Sequence, residues 1–154
     1  MQDILTNTEI VKLLHDDYKE VDHPEEYMYT QVFPYAHLPD TVEHGFTFIC
    51  CDVDISRTYN KTYYQLELDV YIFTHKSKMR LPEGGVRVDR ISAEIARLLD
   101  GSRMYGLGEL NMSSSKRFAP MADYQGRILT FTCDDFNRTT PTGKPVPPNR
   151  KKVT

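Results

Sequence analysis

The sequence predicts an α+β fold, a mostly antiparallel sheet with two helices packed on it. Three observations carry this. Two adjoining runs, "GFTFICCDVDIS" and "YYQLELDVYIF", alternate with the period of a strand. A third run, "RVDRISAEIARLLDG", places Ile91, Ile95, Leu98 and Leu99 at helical spacing. A last alternating run, "QGRILTFTCDDF", puts Leu129, Phe131 and Cys133 on one face. The order α, loop, ββ, α, ββ gives two layers around one core.

The first helix is expected in "LTNTEIVKLLHDD", where Thr6 and Glu9 match a capping box and Ile10, Leu13 and Leu14 form an apolar stripe. From Tyr18 to Gly45 the pattern is irregular, interrupted by Pro24, Pro34 and Pro39, with a short strand expected around Tyr29–Phe33. In the next strand Ile49, Cys51, Val53 and Ile55 share one face. Phe46, Phe48 and Cys50 share the other, which Asp52 and Asp54 continue. Across a turn at "RTYNK", Tyr64, Leu66, Leu68, Val70 and Ile72 make a continuous apolar face, opposite Gln65, Glu67 and Asp69. The two strands predict an antiparallel hairpin. Asp89 is placed to cap the second helix and Gly101 to end it in the left-handed conformation, with a further strand around Leu107–Ser114. The predicted core joins Leu66, Leu68, Val70, Ile91, Ile95, Leu98, Leu129 and Phe131.

Residues 1–138 are read as one domain and 139–154 as a Pro-rich basic arm. The last 14 residues carry Lys144, Arg150, Lys151 and Lys152 and no acid. Taking those four positive charges from the net −3 leaves the remainder at −7. An acidic body does not look like a nucleic-acid-binding domain, which is basic where it meets phosphate. No run reaches the roughly 18 apolar residues of a membrane helix, so no membrane partner is expected. The N-terminal run "MQDILTNTEIVK" lacks the pattern of a signal peptide, which points to folding in a cytoplasm.

Sites of chemistry are sparse. Cys50, Cys51 and Cys133 lack metal-ligand spacing and read as buried free thiols. His15, His23, His37, His44 and His75 are scattered, and there is no Gly-x-Ser-x-Gly, GxGxxG or P-loop. No cofactor is expected. The four carboxylates Asp52, Asp54, Glu67 and Asp69 admit three readings. They could hold a divalent metal, although "ELD" lacks the lysine that a Glu-x-Lys nuclease strand would carry. They could form a solvated face that discourages aggregation. They could also line a channel, where a negative wall lets DNA slide without being trapped. A second candidate is the loop "THKSKMRLPEGGVR". Its Lys76, Lys78, Arg80 and Arg87, beside Met79 and Leu81, suit either a solvated loop or a docking loop for an acidic surface such as a neighbouring copy. Gly84-Gly85 permits a sharp bend there.

The runs "QVFPYAHLPDTV", "FICCDVDISRTYNKTYYQLELDVYIFTHKSKMRLPEGGVRVDRISAEIARLLDGS" and "KRFAPMADYQGRILTFTCDDFNR" together resemble small neck or tail proteins of Gram-positive tailed phages and prophages, from about Tyr29 to Arg138. The ββαββ order is similar to that of tail-terminator proteins, which cap the tail tube and join it to the head. The resemblance implies a non-enzymatic ring, commonly a hexamer, with its sheets near the lumen. It implies a tail-tube protein below, a head-completion or connector protein above, and DNA passing through without specific binding. It implies residence in the virion after assembly in the host cytoplasm, and it carries over no catalytic residue. An adjacent head–tail joining protein fits the same resemblance. A metal-dependent nuclease or hydrolase using Asp52, Asp54, Glu67 and Asp69 is the alternative of a different class.

Overall fold

A computed structural model describes residues 1–15, 22–38, 45–59, 63–105 and 108–136. The predicted arm, the tip of the turn at Asn60 and the start of the strand expected at Leu107 lie outside them. Among the described residues there are three α-helices: α1 (Gln2–Thr6), α2 (Thr8–Leu14) and α3 (Arg87–Leu99). Five strands follow the order β1 (Val32–Phe33), β2 (Thr47–Thr58), β3 (Tyr63–His75), β4 (Asn111–Met121) and β5 (Tyr124–Phe136). They form one sheet in the spatial order β1-β2-β3-β5-β4. Only β1 runs parallel to its neighbour. The fold is α+β as predicted, with the sheet mixed and the N-terminal helix divided.

That division corrects the capping box. Thr6 closes α1, its hydroxyl donating to the Asp3 carbonyl at 3.0 Å. Asn7 caps α2 instead, accepting from the Glu9 and Ile10 amides at 3.1 and 3.2 Å. An amide oxygen one residue further on reaches the same orphan donors that Thr6 was expected to satisfy. The helix α3 likewise starts two residues before Asp89, with Val86 at its N-cap and no side-chain cap. Burial of Arg87 and Val88 draws the helix start toward the core. Asp89 sits in the first turn and binds Arg127 of β5 at 2.6 Å, tying helix to sheet. Gly101 follows α3 at φ +77°, as expected.

The helices cover one face of the sheet. There Ile4, Ile10, Leu13, Leu14, Ile91, Ile95 and Leu99 meet Ile49, Val70, Ile72, Leu129 and Phe131, all buried. The predicted Leu66, Leu68 and Leu98 pack against this core from its margin and are only partly buried. The opposite, open face has a smaller cluster of its own: Phe33, Phe48, Cys50, Phe73 and Tyr124, flanked by Tyr71, Phe118 and Met121. Gly126 allows that second cluster to form. A Cβ there would lie 2.0 Å from the Ile72 carbonyl oxygen and 2.7 Å from the Phe73 Cβ, so only hydrogen fits between β5 and β3. Among the described residues no helix is long and apolar enough to cross a membrane.

Candidate functional site

The β2–β3 hairpin is longer than the helices that cover it. A strand of 13 residues, as β3 is, spans about 43 Å, whereas a helix of 13 residues, as α3 is, spans about 20 Å. The distal half of the hairpin therefore extends past the helical layer. Val53 and Ile55, on its helix-side face, are 57% and 53% exposed. Beneath this overhang lies an apolar groove of about 270 Å³, lined by Met1, Val53, Leu66, Leu68, Tyr105 and Cys133 among others. Sequence periodicity puts Val53, Leu66, Leu68 and Cys133 on apolar strand faces. Only the mismatch between strand and helix lengths could have shown them to be uncovered.

The other face of the same hairpin bears the carboxylates. The register sets Asp52 opposite Asp69 and Asp54 opposite Glu67, so all four predicted residues come together on one face. Cross-strand neighbours at this separation repel by about 0.2–1 kcal/mol per like-charged pair. Among the described residues no ion pair engages any of the four. Two are held by hydrogen bonds: Thr130 of β5 donates to Asp69 at 2.6 Å, and the Val53 amide donates to Asp52 at 3.0 Å. Tyr71 stands between the aromatic cluster and the acids. Burial raises its phenol pKa, and the charges of Asp69, Asp52 and Asp54 raise it further. Among the described residues no three His, Cys, Asp or Glu side chains are grouped so as to hold a metal ion.

The buried thiols are not poised for attack. Burial pushes Cys50 up to about 11 and Cys51 to about 12, and raises Cys133 as well. A thiol held protonated at neutral pH is a poor nucleophile. All three cysteines are free and buried, as the sequence predicted.

The loop from Lys76 to Arg87 divides differently from expectation. Leu81 is 1% exposed and joins the main core, and Met79 packs against it. Arg87 is 2% exposed. Its guanidinium donates to the carbonyls of Leu13, His15 and Lys78, the last two at 3.2 and 2.9 Å. A buried cation thus closes the C-terminus of α2, where carbonyls lack helical partners and the dipole favours positive charge. Leu81 and Arg87 are therefore internal to the subunit and offer no surface to a partner. Apolar and ionic demands of the core claim them first. Gly84 and Gly85, at φ +96° and +93°, make the predicted bend, knit by the Gly84 amide to the Leu81 carbonyl at 3.0 Å. Lys76 and Arg80 remain exposed, with Lys76 near Asp123 at 3.6 Å, and Lys78 is half-buried.

A family model described as YomW matches residues 7–133, which is most of the chain. The protein belongs to the YomW family. The family's name resembles that of a Bacillus phage or prophage gene product, so the association it carries is with phage. No curated protein matches the chain. The matched span of this YomW family member takes in the hairpin and its four carboxylates, the loop before α3 and most of β5.

Proposed function

We propose that this YomW family member is a structural protein of the phage particle, a tail terminator that forms a ring at the head-proximal end of the tail tube. The observation that supports it best is the two-sided hairpin. One side presents paired carboxylates that the described residues leave without a cation. The other presents apolar surface that the subunit's own helices do not cover. Val53 and Ile55, exposed beside the apolar groove, suit contact with another protein surface. A dense negative face suits a passage that DNA must cross without adhering. In this reading Asp52, Asp54, Glu67 and Asp69 face the lumen, Lys76, Lys78, Met79 and Arg80 lie near a neighbouring subunit or neck protein, and the protein is not an enzyme. A tail-tube protein and a head-completion protein are its partners, and the virion is its place. A neighbouring head–tail joining protein would present the same hairpin and differ only in which ring it stacks upon.

Mass measurement in solution and class-averaged electron micrographs of the purified protein test the proposal. A closed ring of identical subunits, commonly six, is expected. A monomer that binds magnesium or manganese stoichiometrically, with binding abolished by Glu67→Gln, would replace this reading with the nuclease alternative.

A further inference from the structure

We infer that neighbouring copies join edge to edge, the outer side of β2 in one subunit pairing with the outer side of β4 in the next. This rests on the ring reading and specifies its contact.

Among the described residues the sheet has two open edges. At one end, β1 covers β2 only at Ile49 and Cys50. Among the described residues nothing pairs with the outer side of β2 from Cys51 to Thr58. The Ile49 amide donates to the Gln31 carbonyl on that outer side at 2.8 Å. By the two-residue period of a strand, the Val53 amide points the same way. It is occupied only by the neighbouring Asp52 side chain. At the other end, among the described residues, β4 is the terminal strand and makes its ladder with β5 alone.

Direction, face and charge all fit. Each step from β2 to β3, β5 and β4 is antiparallel, so β2 and β4 of one subunit run in opposite directions. A copy placed beside β2 with its sheet continuing in the same sense therefore presents β4 antiparallel. In that placement the helical layers stay on one side. Lys116 pairs with Ile128, which pairs with Tyr71, and this puts it on the same open face as Asp52 and Asp54. The β4 sequence "NMSSSKRFAPM" carries Lys116 on that face and no acid, with Arg117 turned to the helix side opposite Arg127, while "CDVDISRT" in β2 carries two acids and Arg57. Arg57 lies over the Tyr59 ring at 5.2 Å, near the hairpin tip. Because the two edges differ, the contact is heterologous. It propagates around a ring, or along a filament if the rotation does not close. Exposed edges are the usual templates for such pairing.

The test is a charge swap in the full chain, read by sedimentation and electron microscopy, with far-UV circular dichroism as the folding check. Lys116→Glu should raise the concentration needed for assembly at least about tenfold, as should Asp52→Lys with Asp54→Lys. Mixing the two variants should restore mixed contacts, and combining all three changes in one chain should restore assembly. Val53→Pro, which removes the outward amide, should block assembly while leaving a folded monomer. Rings unaffected by all of these variants would overturn the edge contact and leave the ring reading standing. A wild-type chain that stays monomeric at every concentration would overturn both. Loss of assembly that the combined variant does not repair would also count against this pairing.

Discussion

Asp52 lies directly across the β2–β3 ladder from Asp69, and the next pair on the same face, Asp54 and Glu67, repeats the clash. Two like-charged pairs in succession work against hairpin stability, so folding alone does not explain them. Replacing Asp52 by Asn should raise the stability of the isolated chain by about 0.2–1 kcal/mol, most clearly at low salt. Urea unfolding at two ionic strengths measures this. A loss of stability would mean that the Asp52 charge is compensated by a cation.

The core is graded along the hairpin. Phe131 is fully buried beneath α3, whereas Leu68 lines the open groove and is partly exposed. Phe131→Ala should therefore cost about 3–5 kcal/mol. Leu68→Ala should fall below the roughly 2–5 kcal/mol of a fully enclosed leucine. Equal losses in denaturant midpoint would show the overhang to be covered in solution.

Alternation in β2, β3 and β5 made the sheet legible, because each strand shows one continuous apolar face. The clustering of Asp52, Asp54, Glu67 and Asp69 was legible for the same reason. Other features depend on partners distant in sequence. Nothing near Arg87 signals that its guanidinium will reach Leu13, 74 residues earlier. Nothing in "YQGRIL" signals that Gly126 will face the Ile72 carbonyl. The parallel strand β1 is only two residues long, too short for any period to reveal its direction. The aromatic cluster was hidden because Phe33, Phe73 and Phe118 come from separate segments and meet only once the sheet is assembled.

Arg87 should behave as a structural keystone between α2 and the loop before α3. Arg87→Met leaves the carbonyls of Leu13, His15 and Lys78 without that donor, and a loss of about 3 kcal/mol or more is expected. Arg87→Lys should recover little, since an ammonium cannot reproduce the planar fork. Thermal unfolding of both variants checks this, and near-complete rescue by lysine would reduce Arg87 to a simple charge.

Alkaline pH should destabilise the fold. Cys50 and Cys51 rise from the ordinary thiol value of 9.0 to about 11 and about 12 through burial. Tyr105 rises to about 12, through burial and then its hydrogen bond to Asp3. The folded state therefore holds these protons more tightly than the unfolded chain. Their contribution is complete below about pH 9 and is lost as pH rises toward 11–12. Denaturant midpoints measured from pH 8 to 11 should fall, and Cys51→Ala should flatten the descent. A flat profile in the parent protein would mean that the thiols titrate normally.

Glu67 of β3 and Thr132 of β5 sit opposite each other on the open face, the first one strand inward from β2 and the second one strand inward from β4. They can therefore be changed without touching the proposed contact between subunits. Glu67→Lys with Thr132→Lys turns part of the negative face into a phosphate-binding one. If that face lines the passage, particles carrying the variant should assemble normally but release DNA more slowly. The delay should shrink as salt rises, because each phosphate contact displaces condensed counterions. Triggered DNA ejection in vitro at several salt concentrations reads this directly. The neutral pair Glu67→Gln with Thr132→Ala should eject at the parent rate. Ejection by the lysine variant at the parent rate across the whole salt range would place the carboxylates on the outer wall of the ring.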